Sequence, residues 1–238
     1  MIYGSQLGRL TENRLLLSLP LDEYDSIIPK LEAVELPYGK VLYNSGSPIK
    51  HAFFPNNGMC SILSSTEDGS TVEVGMVGNE GMVGVPVILG VNSMPYQVTV
   101  QVQGTALRMG VNLLREAFTQ RGIFHDRILL YVYDLITQLS QSASCNRFHT
   151  VRQRLCRWLL ITSDRAKLNH FRLTQEVISD MLGARRQGIN EAASEIKQLG
   201  LISYYRGHIT ILDREGLEAA SCECYKIIKE SYDQVTSP

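Results

Sequence analysis

At 238 residues the chain is long enough for two domains of roughly 100 residues, each able to bury its own core. Apolar residues make up 44% and charged residues 20%, the proportions of a soluble globular protein, which excludes a disordered or fibrous chain. The formal net charge is −1, but it is unevenly placed: residues 1–146 hold 9 basic and 13 acidic side chains, residues 147–210 hold 11 and 5, and residues 211–238 hold 3 and 6. A basic segment between two acidic ones is the footprint of a nucleic-acid-binding module joined to something else, or of a solvated basic face.

The opening MIYGSQLGRLTENR lacks the basic-then-apolar layout of a signal peptide, and no apolar run reaches the roughly 20 residues of a membrane span. A cytoplasmic protein that does not contact membrane is therefore expected. Five cysteines, at 60, 145, 156, 222 and 224, are odd in number and scattered, which suits reduced thiols better than a disulfide framework. Only Cys222 and Cys224 are close in sequence.

From about Leu31 to Met109 short β-branched or alternating runs recur: Lys40–Tyr43, Met59–Leu63, Thr71–Val74 and Tyr96–Val102. Turn residues punctuate them at Pro37-Tyr38-Gly39, Asn56-Asn57-Gly58, Asp68-Gly69 and Gly104. Many short strands at this spacing predict an antiparallel sandwich or roll, and Asp68-Gly69 between two such runs predicts a hairpin. Gly75, Gly78, Gly81 and Gly84 fall three residues apart. They would serve either a phosphate cradle or tight corners needing positive φ, and the absence of a following G-K-[ST] favours the corners.

The period then changes. Between Phe124 and Cys145 the residues Ile128, Val132, Leu135, Leu139 and Ser142 step by 4, 3, 4 and 3, a heptad seam on a long helix that predicts a dimer contact. Packing on the chain's own sheet is the alternative. Leu129, Leu130, Tyr131, Tyr133 and Ile136 give the helix apolar surface for both. A further amphipathic helix carries Val151, Leu155, Trp158, Leu159 and Ile161 among Arg152, Arg154 and Arg157.

Thr174 is placed to cap a helix with Glu176 in its first turn and Val177, Ile178, Met181 and Leu182 on its apolar face. Gly183 ends it. A second helix follows at once, with Ile189, Ala192, Ala193, Ile196 and Leu199 on one side and Gly200 at its end, the pattern of a helix-turn-helix. Its other side carries Arg186, Gln187, Asn190 and Ser194, with Arg185 at the N-terminus. Arginine forks onto guanine O6 and N7, and asparagine or glutamine onto adenine N6 and N7, at the end of a recognition helix that meets base edges. Glu191 would accept from a cytosine amino group or repel phosphate. Leu201–Tyr205, a turn at Arg206-Gly207-His208 and Ile209–Leu212 then form a hairpin, the wing of a winged helix, with Arg206 and His208 at the tip facing phosphate.

With these elements in order, the chain resembles the Crp/Fnr superfamily of bacterial regulators over nearly its full length, most closely in LTQEVISDMLGARRQGINEAASEIKQLGLI, residues 173–202. The resemblance implies an α+β fold of two domains: an antiparallel, jelly-roll-like β-roll sensor over residues 1–121, a dimerisation helix over 122–146 and a winged helix-turn-helix over 147–238. By the same match Arg186, Gln187 and Glu191 look like base readers, and Thr174 and Gln175 like phosphate contacts. The partners implied are double-stranded DNA, a second copy of the chain and RNA polymerase.

The chain also departs from the family, in the reading head at Arg185 and further in the sensory half. Arg185 occupies a position where many members carry a capping serine or threonine, and Gly188 lies inside the recognition helix. In members that bind cyclic AMP, a G-E-L motif and a later R-S-A or R-T-A supply a glutamate for the ribose and an arginine for the phosphate. Here the matching positions are Gly84-Val85-Pro86 and Tyr96-Gln97-Val98, so the pocket loses both charges and an effector other than cyclic AMP, or none, is expected. No cysteine precedes Cys60, which speaks against the iron–sulfur cluster of the Fnr branch. His51 and His125 are the histidines a haem-sensing relative would use, though a lone histidine is more often a surface residue.

A cupin-like metalloenzyme is the competing class. The five histidines, at 51, 125, 149, 170 and 208, form no H-x-H or H-E-x-x-H motif and only His51 lies in the strand-rich part, so neither enzyme activity nor a metal or other cofactor is expected.

Overall fold

The structure is a computed structural model that describes residues 11–236. The first ten residues, where the signal-peptide reading and the start of the expected sensor domain fall, and the last two lie outside the described residues.

Two short helices, α1 (Arg14–Leu17) and α2 (Leu21–Ile27), lead into seven strands. These are β1 (Glu32–Leu36), β2 (Val41–Tyr43), β3 (His51–Pro55), β4 (Met59–Ser65), β5 (Thr71–Val77), β6 (Gln97–Val102) and β7 (Gly104–Gly110). They pair antiparallel in two sheets, ordered β1-β7-β3 and β2-β6-β4-β5. The expected roll is present, and Asp68-Gly69 turns the β4–β5 hairpin. On β6, alternation sends Val98 and Val100 inward to join Tyr43, Phe54, Cys60 and Met109 in one core.

Periodicity does not reveal the β1-β7-β3 sheet. β3 is buried along almost its whole length and so does not alternate, β1 is mostly exposed, and Gly104, which reads as a break, begins β7.

The glycine run is structural, but chiefly for another reason than turn geometry. Only Gly84 of the four has a left-handed φ, at 118°. A Cβ at Gly78 would collide with Arg165, and one at Gly81 would sit inside the Tyr131 ring. Two helices crossing the roll approach its backbone too closely for any side chain there.

Those helices follow α3 (Val111–Thr119): α4 (Ile123–Phe148), two residues longer at its C-terminus than the expected 146, and α5 (Val151–Ala166). The Glu23 carboxylate of α2 caps α4 by accepting from the Ile123 and Phe124 amides, each at 2.7 Å. Phe124, Ile128 and Tyr131 of α4 enter the roll core. Farther along, Gln138 clamps the Met76 backbone, accepting from its N–H at 2.7 Å and donating to its carbonyl at 3.2 Å.

The C-terminal part is α5, β8 (His170–Arg172), α6 (Gln175–Leu182), α7 (Arg186–Gln198), β9 (Ile202–Tyr205), β10 (His208–Ile211), α8 (Arg214–Ala220) and α9 (Cys224–Thr236). A capping box of Thr150 and Gln153 starts α5. This helix is buried nearly all round rather than amphipathic. Its Leu155, Trp158 and Leu159 share one core with Met181 and Leu182 and with Met59, Leu63, Met76 and Val102 of the roll. The boundary expected at residue 146 therefore divides the chain but not this core.

Candidate nucleic-acid interface and effector pocket

Thr174 is the N-cap of α6 as expected, its hydroxyl accepting from Val177 N at 3.3 Å. Gly183, at φ 54°, reverses the chain so that α7 starts three residues on. Ile189, Ala192, Ala193 and Ile196 bury one face of α7. Arg185, Arg186, Gln187, Asn190 and Glu191 all stand exposed on the other. Arg185 is the N-cap and makes no capping bond with its side chain, which leaves its guanidinium to turn outward beside the start of the helix.

Two of the base-reading candidates already have partners. Arg186 pairs with Glu176 of α6, and Gln187 Nε2 donates to Glu191 Oε1 at 3.0 Å. Both pairs are exposed, so each holds its side chain only weakly.

The wing is β9 and β10 joined by Arg206 and Gly207, with φ values of 48° and 76°. Positive φ at both central residues is what a two-residue I′ hairpin requires. The sequence pattern does not disclose the third strand, β8, which pairs with β10 and anchors the wing to α6 through Leu173 N, donating to Gly207 O at 2.7 Å. Gln175, Arg206 and His208 are exposed. Thr174, Gln175 and Arg206 border one shallow surface recess at the start of α6.

Part of the basic excess does not face solvent. Arg154, Arg157 and Arg165 of α5 are buried. Arg154 donates to the Leu182 carbonyl, and Arg165 pairs with buried Glu80 at 3.2 Å while donating to Met76 O at 2.6 Å. Those three charges belong to the junction between roll and reading head, not to a DNA footprint. At the same junction Glu73 accepts from Trp158 Nε1 at 2.7 Å and from the Ser61 hydroxyl. Burial pushes the Glu73 carboxyl up to about 7, against the pull of those two hydrogen bonds and of Arg157 and Arg165.

Between the roll and α4 lies a cavity of about 570 Å³. Gly84, Val85, Tyr96 and Val98 line it, together with Val132, Leu135, Leu139 and Ser142 of α4; Gln97 does not. Gln97 instead reaches toward Asn44 on the surface. Among the described residues no lysine, arginine or carboxylate borders the cavity. Its lining is predominantly apolar, with no side-chain cation to neutralise a phosphate.

The seam Ile128, Val132, Leu135, Leu139 and Ser142 thus faces the chain's own roll, the packing that the sequence offers as the alternative to a dimer contact. Ile128 is fully buried, Val132 and Leu135 pack on the roll core, and Leu139 lies over Gly75. The exposed apolar stripe is one position on: Leu129, Tyr133, Ile136, Ser140 and Ala143. A heptad pattern allows either stripe, and only the position of the roll decides between them.

His51 and His125 are not brought to one site. His125 stacks near Phe118 and pairs with its neighbour Asp126 at 2.9 Å, while His51 lies at the start of β3. The cysteines, by contrast, are less scattered than they read: Cys145, Cys222 and Cys224 meet beside His149. The spacing Cys145-x-x-x-His149 together with Cys222-x-Cys224 is the one sequence signal for this.

Comparison with known proteins agrees with both halves. Residues 33–121 match the model of the cyclic nucleotide-binding domain, and residues 153–220 match that of the Crp-like helix-turn-helix domain. No curated protein matches the sequence. Among solved structures, FixK2 from Bradyrhizobium japonicum is 13% identical, with a TM-score of 0.67 over 81% of this chain and 98% of its own. A CRP-family transcriptional regulator, TTHB099 from Thermus thermophilus, is 14% identical, with a TM-score of 0.66 over 79% and 96%. The c-di-GMP-responsive global regulator CLP of Xanthomonas campestris is 15% identical, with a TM-score of 0.63 over 81% and 99%. The sensor-type roll, long helix and winged helix-turn-helix define a two-domain transcriptional regulator. The chain belongs to the Crp/Fnr superfamily. Among the described residues no helix is long and apolar enough to cross a membrane.

Proposed function

We propose that the protein is a sequence-specific, homodimeric DNA-binding regulator that reads a palindromic operator through the major groove. The observation that carries this is the exposed N-terminal face of α7, where Arg186, Gln187 and Asn190 present forked donors and amide pairs while the opposite face is fully packed. Arg185, Thr174, Gln175, Arg206 and His208 surround it as backbone contacts, and Glu191 orients Gln187. The functional division is a sensor over 1–121, a dimer helix over 122–146 and a reading head over 147–238.

The second copy joins along Leu129, Tyr133, Ile136 and Ala143, the apolar stripe that α4 leaves exposed. Ile136, Ser142, Ala143 and Asn146 border both that stripe and the cavity, so a partner helix would lie across the cavity's mouth. An uncharged, largely apolar effector seated there would alter how the two helices cross, and through α5 the separation of the two reading heads. The lining argues against cyclic AMP and against a phosphate-bearing dinucleotide such as the one to which CLP responds.

Footprinting on a bound duplex tests the arrangement. Two protected major-groove segments on one face of the DNA, about 34 Å apart, are expected. Protection of one isolated segment by a monomer would contradict it.

A further inference from the structure

The foot of α4 holds a cluster that the DNA-reading account does not use. Cys145 lies in the last turn of α4, His149 follows its final residue, Cys222 is in the link between α8 and α9, and Cys224 opens α9. Residues 145 and 149 are one helical turn apart, hence on one face; residues 222 and 224 are separated by a single residue. Their ligand-type atoms, three Sγ and one imidazole nitrogen, all lie within 4.8 Å of one another. Cys145 Sγ is 3.5 Å from Cys222 Sγ, and Cys224 Sγ is 3.5 Å from His149 Nδ1. The three cysteines are fully or almost fully buried, and all are free thiols.

We propose that Cys145, His149, Cys222 and Cys224 bind one zinc ion as a closed, tetrahedral structural site. With Zn–S bonds of about 2.3 Å and a Zn–N bond of about 2.0 Å, the ligand atoms of a tetrahedron stand roughly 3.5–3.8 Å apart; the two separations above are of that size, and the remaining pairs, all within 4.8 Å, need close by no more than about 1 Å. Three thiolates and an imidazole are soft, nitrogen–sulfur ligands that reject magnesium, calcium and manganese. All four ligands come from protein, so no position is left open for substrate, which makes the site structural rather than catalytic. Because all four atoms lie within 4.8 Å of one another, they suit a single ion rather than a cluster whose ligands sit on separate irons.

The surroundings fit that occupant. His149 points its other nitrogen, Nε2, at Glu223 Oε1 at 3.2 Å, the carboxylate contact that fixes a ligating imidazole and raises its basicity. Gln141 Nε2 donates to Cys224 Sγ at 3.1 Å, a hydrogen bond that stabilises a thiolate. The buried Arg157 side chain leaves Nε and Nη1, and Arg154 its Nε, without hydrogen-bond partners among the described residues. The cluster answers this: three thiolates on Zn²⁺ carry one net negative charge, which compensates a buried guanidinium that would otherwise be costly. Binding would release the three thiol protons to solvent, with no change of oxidation state.

The location gives the site its consequence. His149 is the last residue before the Thr150 cap of α5, so the ion sits at the elbow between the long helix and the reading head and fastens α9 to both. Zinc would set the angle at which the head is held.

Metal analysis of the full-length protein, purified from zinc-replete cells without metal-affinity chromatography, tests the proposal. One zinc per chain is expected, retained through dialysis against a weak chelator. The Cys222→Ser, Cys224→Ser double variant should lose it, and a Cys60→Ser variant, altering a buried thiol of β4 in the roll, should keep it. Should the first variant fail to fold, cobalt(II) added to wild-type protein stripped by a strong chelator provides the second reading: a tetrahedral site gives intense visible bands and a thiolate-to-cobalt charge-transfer band. Metal-free protein that takes up no cobalt in this way, stoichiometric iron in place of zinc, or a Cys145–Cys222 disulfide in the protein as purified from reducing buffer would each overturn it. None of these readings depends on DNA binding, so the proposal can fail while the DNA-reading account stands, and the reverse.

Discussion

Trp158 of α5 and Glu73 of β5 are hydrogen-bonded across the junction of reading head and roll, the indole Nε1 donating to the carboxylate at 2.7 Å. The carboxylate is buried, also accepts from Ser61 of β4, and faces Arg157 and Arg165 of α5. It ties the head to the sensor by a bond whose strength depends on protonation.

Burial holds Glu73 at about 7, above its ordinary 4.5. The folded state therefore favours the protonated carboxyl, and the stability this contributes is complete below about pH 4.5 and is lost progressively as pH rises to about 7. Glu73→Gln keeps an acceptor for Trp158 but does not titrate. Denaturant unfolding at several pH values should show the variant gaining on wild type between pH 5 and 8, by on the order of 2–3 kcal/mol at the upper end. A difference independent of pH would show that Glu73 ionises freely in the folded protein.

Gly81 is packed so closely by Tyr131 that no Cβ fits, and the Tyr131 hydroxyl is held by Met82 O at 3.0 Å, so the ring has nowhere to go. Gly81→Ala should destabilise the protein by about 3 kcal/mol, read as a lower denaturant midpoint. Unchanged stability would mean that α4 lies farther from the roll.

Gly188 presents the opposite case. The nearest atom to a Cβ there is Val151 Cγ2 at 3.8 Å, ordinary contact distance, and the backbone is helical. Gly188→Ala should raise stability by up to about 1 kcal/mol through helix propensity alone. A loss would mean that α7 packs closer to Val151 of α5 than the 3.8 Å seen here.

For the long helix, Tyr133→Asp and Ile136→Asp should produce monomers by sedimentation while leaving the fold intact, since both side chains are exposed. Leu135→Asp should instead damage the cavity wall and lower stability, as a charge placed among apolar groups does. Dimers persisting in both exposed-stripe variants would move the interface elsewhere.

Much of the reading head is legible because its signals are local: the Thr174 cap, the Gly183 reversal and most of the apolar face of α7 each act within a few residues, whereas Leu199, expected on that face, is exposed, and His208, expected in the turn, begins β10. What depends on distant chain segments is not. β3 gives no alternation because nearly all of it is buried, and Arg154, Arg157 and Arg165 look like a DNA-facing charge until packing on the roll and on α6 draws them inside. The seam on α4 has the correct period in sequence, but the period alone does not say that it turns toward the roll, because Ile128 and Leu129 satisfy a heptad equally well. Cysteines 77 residues apart, Cys145 and Cys222, meet only through the docking of α9.

Arg186 and Arg206 separate two kinds of contact. Arg186→Ala should weaken binding to the preferred site by about 10- to 100-fold, equivalent to roughly 1–3 kcal/mol, and relax preference at one base pair. Arg206→Ala should weaken binding to all sequences alike and lower its salt dependence. Matching profiles from the two variants would mean that α7 does not read bases.

The most direct measurement is selection of bound duplexes from a random pool at low salt, with wild type and an Arg186→Ala, Gln187→Ala double variant side by side and cell extract supplied as a source of effector. The account predicts that wild type enriches a two-fold symmetric site with half-sites about one helical turn apart, and that the double variant enriches none or a degenerate one. Enrichment of no palindromic site by wild type, or of the same site by both proteins, would contradict it.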